Sequence, residues 1–537
     1  MTSLAASAWD VFRRYPLTIA ALLIAVQCLP ALEARWFWFS DEVRYAEVYS
    51  NLVEGGHWIV LNLNGVAYPD KPPLFFLMLA ALDLIPGVGM PGVMFLGSAV
   101  SGWFLLFAVT RLGAALGLSR DAQAAGVAAT LCLFGVILHL HYVRMDLLFV
   151  ALMLWAQALM LRFHLHGAGR STLLAGYALG GLAVLVKGPL GLLLPMAAAF
   201  TVALWAGRWR GVLSLSTLAG LGVSALVMSS WALGIVLVEG WEFFAREIIG
   251  QQVVARATDT FHHAEPWTFY FGVLPLLMLP WTGMVAALPW RRAARWLPEV
   301  RASLGAPGPV TALALGAVTH FAIMSSLDGK VAVYLLPVMA QLALLIGVLS
   351  LSHDLRPGWI GTGLLAALSG AALIVLAVLP EGADLRAGAL LCGALLLLTG
   401  AALILRARKG GPMLAALTLA LTAWGLALAL LLLPGLNERF STRIPAELLA
   451  RYADEGYTPV AYRTYPGIYS YYAGRDIVQI DDPGTLRALA AEGGPLVIAA
   501  RRARWEGLDL EGFEIIDDRP IEGAGPDYLV LIRPPPG

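Results

Sequence analysis

The sequence predicts a polytopic α-helical membrane protein that ends in a small α/β domain. Three observations carry this reading. Of 537 residues, 59% are hydrophobic and 13% charged, against roughly 25% charged in ordinary soluble domains. Apolar runs of roughly 17–25 residues, long enough to cross a bilayer as helices, recur along most of the chain. Beyond Leu433-Pro434-Gly435 that pattern gives way to a mixed polar one. Mean hydropathy is +0.74 and the net charge is zero, which argues against a nucleic-acid partner. Cys28, Cys132 and Cys392 are scattered through apolar segments, so they read as core residues and not as a disulfide framework or metal site.

The first apolar run, about 17–32, follows Arg13 and Arg14 and has no convincing small-residue cleavage site. It is read as an uncleaved first span. Further spans are expected near 93–110, 122–138, 145–163, 172–186, 189–206, 212–238, 267–288, 310–325, 331–350, 358–379, 386–405 and 411–434. That makes about 13. The stretch 74–85 is shorter, is opened by Lys71-Pro72-Pro73 and carries Asp83, which suits an interfacial helix.

Charge sets the orientation. With the N-terminus in the cytoplasm and 74–85 interfacial, the inside loops hold Arg111, Arg120, Arg162, Arg170, Arg208, Arg210, Arg291, Arg292, Arg295, Arg301, Arg406, Arg408 and Lys409. Cytoplasmic loops carry such an excess. If 74–85 crossed, every one of these clusters would lie outside. The expected arrangement is therefore a multi-pass membrane protein, with membrane lipids as neighbours and the C-terminus on the outer face. "FSDEVRYAE", "HLHYVRMD", "VKGP", "FHHAEPW" and "SSLDGK" then share the outer face, around a first outer loop of about 33–92.

In the last hundred residues, helical stretches at 445–453 and 485–491 alternate with "TPVAY", "DIVQI", "PLVIAA", "FEIID" and "YLVLIR". The pattern predicts short strands in an α/β domain. Residues 1–434 are taken as the transmembrane part and 435–537 as this outer-face domain.

Ionisable residues at the hydrocarbon boundary are costly and are functional candidates by default. Asp41 and Glu42 have a plain reading, as acids at a helix start capped by Ser40. They also have a chemical one. Arg44 follows Asp41 by three positions and Glu47 follows Arg44 by three, so the three can share a helix face. An arginine there suits an anionic leaving group, because its fork grips phosphate oxygens. Lys187 is read as snorkelling, and Trp241, Trp267 and Trp281 as aromatic-belt residues.

The stretch "DEVRYAEVYSNLVEGGHWIVLNLNGVAYPDKPPLFF" resembles the first outer loop of the aminoarabinose lipid A transferases and the wider protein O-mannosyltransferase-like group, which are GT-C glycosyltransferases. "VRMDLLF", "LVKGPLGLLLP", "HHAEPWTFYFGVLPLLMLPW" and "GKVAVYLLP" follow in the family's order. The chain departs from the pattern at Asp70, where Glu is common, and at His57, and its last hundred residues match only loosely.

The resemblance implies an inverting transfer of a sugar, aminoarabinose or another aminosugar, from undecaprenyl phosphate to lipid A or another envelope acceptor. Protein O-glycosylation is the alternative within the same chemistry. A transporter is a rival class, set back by the absence of paired halves with broken helices. Mapped by motif, Asp41 is the catalytic carboxylate, Glu42 its support and Asp146 a second acid. For Asp146 a membrane-edge pairing with Arg144 is the equal alternative. Arg44, Tyr68, Lys71 and Tyr334 match donor phosphate positions, and Lys330 is either another or an interfacial anchor. Asp70 with His263 is a candidate divalent-metal pair, zinc or other; metal-independent chemistry is the alternative, since Lys71 and Arg44 already supply positive charge. Tyr45, Glu47, Arg144 and His262 complete the candidates. No other cofactor is implied, and the protein is expected to act as a monomer.

Overall fold

The computed structural model describes residues 2–255, 264–290, 302, 305, 308–407, 411–508, 510–522 and 527–533. The chain forms two compact units. The first comprises Met1–Ala31, Pro69–Phe75 and Phe95–Ala429, and the second Leu32–Tyr68, Phe76–Met94 and Leu430–Gly537.

The first unit is helical, and each expected apolar segment carries helix. Among the described residues, eight helices are long and apolar enough to cross a membrane, and ten if two bent pairs count as single spans. The bent pairs are Ala5–Arg14 with Pro16–Ala31, at 114°, and Arg120–Leu131 with Phe134–Leu140, at 68°. Pro16 accounts for the first break, since a proline starts a helix more easily than it continues one. The other three expected segments fall on Arg170–Lys187, on the short Leu190–Trp205, and on Phe269–Leu277 followed by Trp281–Ala286. The last is interrupted at Pro280. Together these give thirteen helical segments among the described residues, with at most ten both long and apolar enough to cross.

In lipid, helices associate through close packing and polar contacts, with no hydrophobic drive between them. Both devices appear here. Gly363 and Gly370 on Arg356–Val378 meet Gly400 and Gly393 on Arg386–Leu405 so closely that an added Cβ would strike the facing carbonyls at 2.4–2.7 Å. Gln157 donates to Gln341 at 3.1 Å, Gln341 Nε2 lies 3.0 Å from His320 Nδ1, and His320 Nε2 lies 3.0 Å from Leu194 O. This buried chain joins four helices. Trp281 is not in an aromatic belt. It is fully buried and donates its indole N–H to Ala129 O at 2.9 Å, because its helix packs inward against Arg356–Val378. The three cysteines are buried and free.

The second unit begins with the helix Asp41–Glu54 and a short hairpin, β1 (Asn62–Leu63) and β2 (Val66–Ala67). Asn64-Gly65 turns the hairpin with positive φ at both residues, 53° and 75°, as a type I′ turn requires. Leu74–Asp83 is helical, and Tyr49 of the first helix donates to Asp83 at 2.8 Å. The C-terminal strands are β3 (Thr458–Tyr462), β4 (Val478–Ile480), β5 (Leu496–Arg501), β6 (Glu514–Asp517) and β7 (Tyr528–Arg533). They form one mixed sheet in the order β4-β3-β5-β7-β6, parallel among the first three and antiparallel at β7. Val460, Tyr462, Ile498, Leu529 and Leu531 meet Leu486 in its core.

The two halves of this unit are sewn together. Asn64 donates to Ile477 O at 2.8 Å and accepts from Ile477 N at 2.7 Å and Ser470 Oγ at 2.6 Å. The sequence does not foresee this grouping of the first outer loop with the C-terminal strands.

Candidate functional site

Asp146 opens the helix Asp146–His166 with its side chain 4% exposed. A buried carboxylate needs partners, and it has two cations. Arg144 Nε donates to Oδ2 at 3.0 Å, and Lys187 Nζ donates to Oδ1. Lys187 ends the helix Arg170–Lys187 and is 12% exposed, so it turns inward and does not snorkel. The Gly188-Pro189 break ends the helix there, where the acid can draw the ammonium in. The ammonium also lies 4.7 Å from the centre of the Tyr334 ring, a cation–π distance. His139 and Lys71 are within electrostatic reach: His139 of Asp146, Arg144 and Lys187, and Lys71 of Lys187. Two cations on one acid leave a net positive group in a partly dry place, which suits an anion such as a phosphate ester.

Lys71 donates to the neighbouring Asp70 at 2.5 Å. A metal at Asp70 would compete with that lysine for the same carboxylate. His262 and His263 lie outside the described residues. Among those described, no group of three or more His, Cys, Asp and Glu is placed to hold a metal ion.

Lys330 is 4% exposed, and its ammonium donates to Glu265 O at 2.6 Å, Leu327 O at 2.5 Å and Asp328 O at 3.5 Å. Three carbonyls take up its three donors. It ties the segment at Glu265, whose N–H reaches Asp328 O at 3.2 Å, to the loop at 327–330. This placement is that of a loop brace and not of a phosphate contact.

In the second unit, Asp41 is the first residue of the helix Asp41–Glu54 and is half-buried. Ser40 occupies the cap position but makes no side-chain cap bond. Glu42 faces the other way. Fully buried, it binds Arg35 and accepts the Trp38 N–H at 2.9 Å. The Arg35 guanidinium lies in turn over the Trp38 ring, 4.0 Å from its centre. Glu42 is thus a brace of the turn before Asp41, not a second acid open to a substrate.

Arg44 donates to Tyr68 Oη at 3.2 Å and lies 5.3 Å from its ring centre, so the structure brings these two residues together. Glu47 accepts from Asn51 at 3.1 Å and is buried. Burial pushes its carboxyl up to about 7; the charges of Asp476 and Glu54 add to the rise and the Asn51 bond opposes it. Tyr45 is buried edge-on against Phe76, at 5.7 Å, and reads as packing.

Sequence reasoning missed Arg35 as the partner of Glu42. The two residues are seven apart across an irregular turn, where no periodic rule links them. It also missed Lys187 as the second cation on Asp146, since 41 intervening residues give no local signal.

No family model matches the chain. Over 379 residues, 68% of its length, it is 31% identical to a Pseudomonas aeruginosa protein named undecaprenyl phosphate-alpha-4-amino-4-deoxy-L-arabinose arabinosyl transferase. Over 344 residues it is 29% identical to a Pseudomonas fluorescens protein of that name, numbered 2. These matches span 65% and 58% of the relatives' own lengths, less than two thirds of each. The chain also shares the fold of ArnT from Cupriavidus metallidurans. The TM-score is 0.75 to the crystal structure bound to undecaprenyl phosphate and 0.74 to the apo state, at 20% identity and 98% coverage of both chains.

Proposed function

From this similarity in sequence and fold, we propose that the chain is an inverting GT-C glycosyltransferase. It moves a sugar, aminoarabinose or a related aminosugar, from undecaprenyl phosphate to lipid A or a related envelope acceptor. The observation that carries this reading is the 31% identity, over 379 residues, to a protein named for that donor and sugar. Residues 1–434 form the transmembrane catalytic part and 435–537 the periplasmic domain. The protein lies in the bacterial inner membrane with its N-terminus in the cytoplasm, which the distribution of arginines supports.

The roles follow from charge. An acceptor oxygen attacks the anomeric carbon, the bond from that carbon to the lipid phosphate breaks, and the phosphate leaves with the electron pair. Cations stabilise the leaving group, and a carboxylate orients the acceptor, takes the proton of an acceptor hydroxyl and offsets charge on the sugar carbon. Asp41 is the carboxylate. Arg44 with Tyr68, together with Lys71, receive the phosphate, and Tyr334 contributes beside Lys187. Asp146 holds Arg144 and Lys187 in place. No step is routed through a metal.

The test is transfer by the purified protein in nanodiscs, from an undecaprenyl-phosphate aminosugar to lipid A, read by mass spectrometry. A gain of one pentosamine on lipid A is expected. A gain on protein Ser or Thr would instead make the chain a protein O-glycosyltransferase. Asp41→Asn should abolish transfer while leaving the fold intact, and near-normal turnover would remove Asp41 from the chemistry.

A further inference from the structure

Four consecutive backbone N–H groups lead into the helix that starts at Asp41, and three of them end on residues 437–472. Trp36 N donates to Asn437 Oδ1 at 3.1 Å, Phe37 N to Tyr472 Oη at 2.6 Å and Phe39 N to Phe440 O at 2.8 Å. The fourth, Trp38 N, goes to Glu42, while the Trp38 indole returns to Asn437 Oδ1 at 3.2 Å. In the opposite direction, Ser441 Oγ donates to Phe37 O at 2.7 Å.

Rings close over these bonds. Trp38 lies 5.1 Å from Phe440, Phe37 lies 5.2 Å from Tyr471, and Phe39 lies 5.5 Å from Tyr465 and 6.2 Å from Tyr528. Residues 35–38 lie outside any helix or strand, so no periodic ladder dictates their path. The groups that receive their N–H donors dictate it. Since Ser40 makes no side-chain cap bond, the local sequence does not by itself fix where the helix begins.

We infer that residues 437–441 and Tyr472 form a clamp that sets the position of Asp41, with Asn437 and Tyr472 as positioning residues for the transfer. The inference rests on reading Asp41 as the reaction's carboxylate. Productive geometry for such a group is kept within about 0.5 Å, which takes a rigid surround. Here that surround comes from a segment 401 residues further along the chain at Asn437 and 435 at Tyr472.

The test uses the full-length protein in nanodiscs. Tyr472→Phe removes the hydroxyl oxygen that accepts the Phe37 N–H. Per folded molecule, kcat should fall on the order of 10–100-fold, as displaced reacting groups do. Donor KM should stay within about twofold, because an interaction made only in the transition state is lost. Amide exchange over 36–41 should quicken by about tenfold, and exchange in the membrane helices should not change. Asn437→Ala should repeat the pattern, and Asn437→Asp, which keeps an acceptor oxygen, should restore most of kcat. Should Tyr472→Phe fail to fold, the Asn437 pair decides.

Unchanged kcat per folded molecule overturns the inference, and faster exchange with unchanged kcat reduces the clamp to a structural tie. If Asp41→Asn keeps its turnover, the reading of Asp41 fails instead, and the exchange data still report the clamp on their own.

Discussion

Arg35 and Glu42 face each other through two parallel hydrogen bonds, of 2.8 and 2.5 Å, with their side chains 3% and 0% exposed. Such a pair gains little over a well-packed apolar substitute, yet stranding one partner in the interior is costly. It fixes the turn that delivers the chain to Asp41, and it uses up the Glu42 carboxylate in doing so.

Arg35→Met should therefore destabilise the protein by about 3–5 kcal/mol, because Glu42 is left buried without its cation. Arg35→Met with Glu42→Leu should recover a large part of that loss. Unfolding of the solubilised protein by denaturant or heat measures both. Equal stability of wild type and Arg35→Met would contradict the ion-pair account.

Asp146 and Lys187 form a second pair whose members depend on each other. Asp146→Asn and Lys187→Met should each reduce transfer strongly, since the first leaves two cations without their acid and the second removes the surplus positive charge that suits a phosphate. The double variant should lose less than the product of the two single effects, with a coupling of about 1–3 kcal/mol. A double-mutant cycle on kcat/KM gives the number. Strict additivity would mean that the contact has no role in turnover.

Glu47 predicts a pH dependence. Its folded value is raised from 4.5 to about 7, so between those values the folded state holds the proton and the unfolded state has released it. Stability should be fullest at the acid end of that window and fall as pH rises through it, by at most about 3 kcal/mol. Thermal unfolding at pH 5, 6, 7 and 8 tests this. Glu47→Gln should flatten the profile, and an unaltered slope in that variant would assign the effect to another group.

Lys330→Gln should cost about 1–3 kcal/mol of stability, since two short bonds from a charged donor to carbonyls are weakened or lost. Donor KM should stay the same, as the ammonium faces the chain's own carbonyls. A large rise in donor KM with unaltered stability would return Lys330 to the phosphate.

Much of the fold is legible in the sequence because bilayer thickness and strand alternation leave strong local signals. All five expected C-terminal runs contain strands, and the helices Arg443–Asp454 and Pro483–Ala491 cover the two expected stretches. The interruption at Pro280 and the bends between helices blur the crossing count, since a run of apolar residues does not report a change of direction. Within the site, Arg44 with Tyr68 and Arg144 with Asp146 could be placed because each pair comes from one motif or neighbouring ones. Arg35, Lys187 and Asn437 could not, because their partners are set by tertiary packing over 7, 41 and 401 residues.

The second unit is drawn from three separate stretches of chain, and this governs how such a protein can be inherited or recombined. The last hundred residues look like a detachable module, but a chimaera that exchanged them alone would put a foreign residue opposite the loop's amides and its hairpin asparagine. Residues 32–68, 76–94 and 430–537 should travel as a matched set, so natural swapping at a single breakpoint is disfavoured.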